Sequence, residues 1–276
     1  MTPRLMGIVN ANPDSFSDPG ARTLDELVAD ALAQVEAGAD MIDVGGESGV
    51  THVPPVSPDE ERARVVPLVE RLVAQGITVS VDTWKPEVAD AVLASGASMI
   101  NDVSGLLDAR LADACARHDA SLVVMHTRAE PKVKSFPGYD DVLKDVQEFL
   151  EERIALARSR GVKDDKIVID PGPDFAKTPA ETVELLRRLF ELSLPYPLLL
   201  AVSRKDFVGA LTGRAPADRL GGTLGAIAAL AQYADILRVH DVAAVADFLR
   251  VREALEGPPQ AVPALDAELR REDRVA

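Results

Sequence analysis

Seven times along the chain an apolar run ends on residues that can do chemistry. Asn10 closes Met6-Gly7-Ile8-Val9, Asp82 closes Val79-Ser80-Val81, and Asn101 follows Ile100. His126 follows Val123-Val124-Met125, and Asp170 follows Ile167-Val168-Ile169. Leu198 to Val202 lead into Ser203-Arg204-Lys205, and Ile236-Leu237 into Arg238-Val239-His240. An Asp and an Asn converging in one pocket match a heterocycle that offers adjacent donors and acceptors. Arg238 and His240 share one side of an extended run by its period of two, giving a cationic and a tunable donor for phosphate oxygens. Plainer readings compete: Asp82 and Asn101 as helix caps, Arg204-Lys205 as a solvated charge run, and a surface ion pair with Asp241.

Other features sort quickly. His52, His118, His126 and His240 lack the spacing of a zinc site. Gly221-Gly222-Thr223-Leu224-Gly225 follows no strand and fits no nucleotide fingerprint, so close helix packing is expected there. Cys115, between Ala114 and Ala116, reads as a small core residue. The segment Asn12-Pro13-Asp14-Ser15-Phe16-Ser17-Asp18 places an aromatic ring in a polar loop, which favours a closing loop over a plain turn.

These residues need a scaffold. Short apolar, β-branched runs at 5–9, 41–44, 78–81, 98–100, 121–125, 167–169, 197–202 and 236–239 alternate with stretches of helical periodicity. The runs are continuous rather than alternating, which indicates strands buried on both faces of a parallel sheet. Eight βα units in 276 residues predict a single-domain α/β fold, a (β/α)8 TIM barrel over 1–257 with a tail at 258–276. A doubly wound open sheet is the alternative. In a barrel, all seven polar strand ends meet on one rim, beside long loops at 10–22, 45–58 and 128–138.

Composition bounds the partners. The formal net charge of −15 argues against nucleic acid, and an anionic ligand would need locally placed positive charge. One cysteine excludes an internal disulfide and points to a reducing, cytoplasmic compartment. The start of the chain lacks a signal-peptide layout, and no apolar run is long enough for a membrane span.

The segments MGIVNANPDSFSD, DVGGES, SVDT, INDVSG, VVMH, IDPGPDFAKT, SRKDFVG and RVHDV, in this order, resemble the dihydropteroate synthase family from Met6 to about Leu255. The resemblance implies a transferase of folate biosynthesis with a (β/α)8 barrel. It would condense 7,8-dihydropterin-6-ylmethyl diphosphate with 4-aminobenzoate to give 7,8-dihydropteroate and diphosphate. It further implies pterin binding by Asp82, Asn101, Asp170 and Lys205, and diphosphate binding by Asn10, Arg238 and His240. Asn10 would be a ligand of Mg2+. Asp14, Lys205, Arg238 and His240 would be catalytic, Ser15, Phe16, Ser48 and Gly49 would shape the second-substrate loops, and a homodimer is expected. The sequence departs from the family pattern at Asn12, at Gly49 and Val50 where Thr and Arg are usual, at Pro173-Asp174, and at Ala201. Thr51 or His52 stands near the altered pair. The departures leave two alternatives beside the synthase: a pterin-binding paralogue without normal activity, and a pterin-dependent methyltransferase domain.

Overall fold

Strands and helices alternate through the described residues, with two successive helices before the last strand. In the computed structural model, which describes residues 2–11, 22–47, 54–258, 261, 262, 264–266 and 269, the order is β1 (Arg4–Asn10), α1 (Leu24–Glu36), β2 (Met41–Gly45), α2 (Pro58–Val73), β3 (Val79–Asp82), α3 (Pro86–Ala94), β4 (Met99–Asp102), α4 (Arg110–Arg117), β5 (Ser121–Met125), α5 (Val142–Ser159), β6 (Ile167–Asp170), α6 (Pro179–Arg187), β7 (Leu199–Leu200), α7 (Asp206–Thr212), α8 (Leu220–Leu230), β8 (Ile236–Val239) and α9 (Val242–Glu256). All strand pairs are parallel, in the order β6-β5-β4-β3-β2-β1-β8-β7. A single parallel bridge between Ile169 and Leu198 joins the two ends. That bridge makes a barrel of the sheet and excludes the open, doubly wound alternative.

Local sequence sets the helix starts. Thr23 with Glu26 and Thr178 with Glu181 form capping boxes, Ser57 and Asp141 cap α2 and α5, and Pro58, Pro86 and Pro179 occupy first-turn positions. Gly222 packs α8 against α7: a Cβ there would lie 2.4 Å from Val208 Cγ1. Cys115 is buried in α4, as expected of a small core residue.

The core has two layers. A large cluster fills the space between strands and helices. A second, smaller one plugs the barrel interior with Met6, Met41, Met99, Val123, Val168, Leu199, Ala201 and Ile236. Strand periodicity carries that inward face upward from the plug. Two residues on from Met41, Met99, Val168 and Ile236 stand Asp43, Asn101, Asp170 and Arg238. The apolar plug thus forms the floor under a polar rim.

Candidate active site

Five of the rim residues, Asn10, Asp82, Asn101, Asp170 and Arg238, are part of the strands, while Lys205 and His240 follow theirs. Asn10, Asp82 and Asp170 are the last residues of β1, β3 and β6, and Asn101 is the penultimate residue of β4. Ladder pairing fixes them: Asn10 is opposite Gly45, Gly45 opposite Asp82, and Asp82 opposite Asn101. Neither Asp82 nor Asn101 caps a helix; the N-cap positions of α3 and α4 are Lys85 and Ala109, and neither makes a side-chain cap.

Their side chains meet in one network. Arg238 Nε donates to Asp43 Oδ2 at 2.7 Å, and its other arm donates to Asp82 Oδ2 at 3.0 Å. Asn101 Nδ2 and Ser80 Oγ donate to the same Asp43 carboxylate at 2.9 and 2.6 Å. Burial pushes the Asp82 carboxyl up to about 7 despite the attraction of Arg238, with Asp43 adding like-charge repulsion. Asp170, also raised by burial, accepts Gly172 N–H at 2.7 Å and is opposed by the charges of Lys205, Lys177 and Arg238.

Lys205, Arg238 and His240 line a cavity of about 300 Å3, together with Ser203, Ala201 and Phe175. Lys205 Nζ lies 4.4 Å from the Phe175 ring centre, and burial lowers its pKa. His240 Nδ1 is 3.1 Å from Ser203 Oγ, and burial, with Arg238 beside it, pushes the imidazole down to about 4. His240 is therefore neutral at neutral pH. The plainer reading of Arg238 and His240, a surface ion pair with Asp241, is not what forms: Asp241 takes Arg204, at 3.0 Å from Nε. Arg204, which also lines the cavity, is thereby held in an ion pair with Asp241. Asp174, one of the departures, takes φ +66 and accepts N–H groups of Asp206 and Phe207 at the start of α7, while its Oδ1 is buried without a hydrogen-bond partner.

A parallel barrel with an acid-and-amide layer on its floor and a cationic cavity beside it invites comparison with known proteins. The pattern of the pterin-binding enzyme family matches residues 6–240. The dihydropteroate synthase of Bacillus subtilis (strain 168) is 40% identical over 257 residues, 91% of this chain and 88% of that one. The structure of Xanthomonas albilineans dihydropteroate synthase with 4-aminobenzoic acid shares 45% identity, covers 94% of each chain and gives a TM-score of 0.87. The same enzyme in complex with 7,8-dihydropteroate gives 0.84, at 45% identity over 94% of this chain and 95% of that one. This chain belongs to the dihydropteroate synthase family.

Of the residues expected from that family, Asn10, Asp82, Asn101, Asp170, Lys205, Arg238 and His240 stand on one rim. Asp14, Ser15, Phe16, Ser48 and Gly49, with Asn12, Val50, Thr51 and His52, lie outside the described residues. Asn10 is exposed, and its Oδ1 sits over Gly45, where an added Cβ would come within 2.9 Å. No group of three or more His, Cys, Asp or Glu residues able to hold a metal occurs among the described residues. A lone hard amide oxygen fits a Mg2+ carried mainly by diphosphate oxygens and water, not a resident ion in a protein cage.

Sequence reasoning missed Asp43. A carboxylate inside the apolar strand Met41-Ile42-Asp43-Val44 was the available signal, since such a group is buried only with partners. A second cluster also escaped notice. Lys85 contacts the carboxylates of both Glu47 and Glu61, and Lys132 lies 3.2 Å from Glu47 Oε1. It ties the loops after β2, β3 and β5 together.

Proposed function

We propose that the chain acts as a dihydropteroate synthase, joining 7,8-dihydropterin-6-ylmethyl diphosphate to 4-aminobenzoate, with the rim residues as its site. The observation that carries this reading is the 45% identity, over 94% of the chain, to a synthase solved with 7,8-dihydropteroate. The polar layer supports it: Asp170, Asn101 and Asp82 supply acceptors and a donor on the barrel floor, chemistry suited to a flat ring with adjacent N–H and C=O groups.

In the reaction the C–O bond to diphosphate breaks with its electron pair leaving on the diphosphate. The amine nitrogen then bonds to the methylene carbon and releases a proton. Positive charge develops on the pterin methylene while negative charge moves onto the leaving group. Lys205 and Arg238 bring fixed positive charge to the leaving-group side, and neutral His240 offers a hydrogen bond there rather than a charge. Asn10 would hold Mg2+ together with the diphosphate, where the ion neutralises leaving-group charge. The buried carboxyl of Asp170 would hold the pterin ring by hydrogen bonds. The aromatic amine needs no activated side chain to attack a cation, and a closing first loop around Phe16 would keep water from capturing it.

Two further readings rest on the resemblance: a homodimer, and the barrel of 1–257 as the bearer of the whole site, with the tail of 258–276 outside it. A cytoplasmic location is supported by the single, buried Cys115. No helix among the described residues is long and apolar enough to cross a membrane.

The deciding measurement is diphosphate release by the full chain, which should require both 4-aminobenzoate and Mg2+. If calorimetry detects binding of the pterin diphosphate but turnover ignores 4-aminobenzoate, the synthase reading fails in favour of a pterin-binding paralogue.

A further inference from the structure

Behind the Asp170 turn lies a buried chain of charged groups that the reaction as described does not use. Lys177 is among the largest fully buried side chains, only 1% exposed. A buried ammonium is costly unless every proton finds an acceptor. Here all three do: Lys177 Nζ reaches Gly172 O at 2.9 Å, Phe175 O at 3.1 Å and His126 Nδ1 at 2.7 Å.

Burial lowers the Lys177 pKa to about 7, but the carboxylate of Asp145 can only accept at Nε2, so the single proton of a neutral ring sits there and Nδ1 accepts from Lys177. That proton points at Asp145 Oδ1, 2.8 Å away. Asp145 is held in turn by Arg128, whose Nε and second nitrogen each lie 3.0 Å from its carboxylate. The imidazole is neutral, because burial with Lys177 alongside pushes it down to about 3. Phe149 packs against the ring edge at 5.0 Å between centres.

The network grips one turn from two sides. His126 N–H donates to Asp170 O at 2.9 Å. Gly172 takes φ +64 and lies so close that a Cβ on it would stand 2.1 Å from His126 O. Lys177 holds the Gly172 carbonyl, while Gly172 N–H points at Asp170 Oδ1. The Asp170 carboxyl thus accepts the N–H of the Pro171–Gly172 peptide, while Lys177 anchors the carbonyl of the next peptide, on the other side of the Gly172 Cα.

We propose that Lys177 and His126 are positioning residues for the reaction. They act through the backbone on both sides of Gly172 to hold the Asp170 carboxyl in the orientation that receives the pterin, while Asp145 and Arg128 fix the His126 tautomer. The pterin part of this proposal rests on the function proposed above; the hold on the turn does not.

The test compares full-length wild type with Lys177→Met, His126→Phe and His126→Asn. Asn can still accept from Lys177 through its amide oxygen, and Phe cannot. Amide hydrogen exchange at Gly172 is measured without ligand, and KM is measured separately for the pterin diphosphate and for 4-aminobenzoate. In Lys177→Met and His126→Phe, exchange at Gly172 and KM for the pterin should each rise at least about tenfold, with KM for 4-aminobenzoate changing less than about threefold. His126→Asn should recover much of the loss. A merely structural role would raise both KM values together or neither, and that result overturns the proposal. Unchanged exchange at Gly172 overturns it whether or not pterin binds. A wild type that binds no pterin diphosphate overturns the function reading and the pterin part with it. Should Lys177→Met fail to fold, the contrast between the two His126 variants decides alone.

Discussion

Arg238 and Asp43 are 195 positions apart in the chain and 2.7 Å apart in the barrel. They come from β8 and β2, strands that never pair with each other but both flank β1. The contact reaches across the barrel interior and gathers Asn101, Ser80 and Asp82 around it. Asp43→Ala would leave Arg238 with one counter-charge and strand two donors. Unfolding in urea should show a loss of about 3–5 kcal/mol, the range for breaking a buried pair from one side. Stability within experimental error of wild type would contradict the network's role.

The raised Asp82 carboxyl makes stability depend on pH with a definite sign. Its folded pKa, about 7, exceeds the ordinary 3.8, so between these values the folded state binds more protons than the unfolded one. Stability attributable to Asp82 is therefore full at the acid end of that window and lost as pH rises through it. Relative to Asp82→Asn, wild type should lose on the order of 1–4 kcal/mol of unfolding free energy between pH 4 and 7. The difference is the quantity to measure, because Asp102 and Asp170 are raised in the same direction and contribute equally to both proteins.

Pterin recognition is proposed to hang on Asp170. In Asp170→Ala, calorimetric titration with 7,8-dihydropterin-6-ylmethyl diphosphate should show affinity lowered by about two orders of magnitude or more, as expected when charged or buried hydrogen bonds lose a partner. Retained affinity would mean that the pterin binds elsewhere on the rim.

Lys85 neutralises two carboxylates, each 2% exposed in its side chain. Lys85→Met would leave Glu47 and Glu61 facing each other with much less compensation. The melting temperature should drop by about 10 °C, from a cost of about 3–5 kcal/mol in a barrel of this size. Glu61→Gln in the same background should restore part of it by removing one stranded charge. A melting temperature that does not move would show the cluster to be energetically idle.

Much of this architecture could be read from residue order, and what could not has a common physical cause. The eight strands and seven rim positions follow from apolar continuity and from where that continuity stops, both local properties. The strand ends were placed slightly short, because Asp82, Asn101 and Asp170 look like loop residues although their backbones still pair in the ladder. Conversely, the run at 197–202 forms a ladder only at Leu199–Leu200, since Leu198 is spent on the closing bridge to Ile169. Asp43 and Lys177 were not singled out: their meaning lies in partners 195 and 51 positions away. Lys177 in particular reads as an ordinary turn lysine until its burial is seen.

The barrel is closed by one registered residue pair at one place, against two to five at each of the other seven. Between β6 and β7 there is one bridge, and the side chain of Asp174 crosses the same gap to the start of α7. Mechanically this is a split ring held by a clasp. Asp170 lies on one side of the split and Lys205 on the other, so the spacing of these two rim groups is set across the junction with the least backbone pairing among the described strands. A ligand that bridged them would add a link across the split that the backbone makes with one bridge.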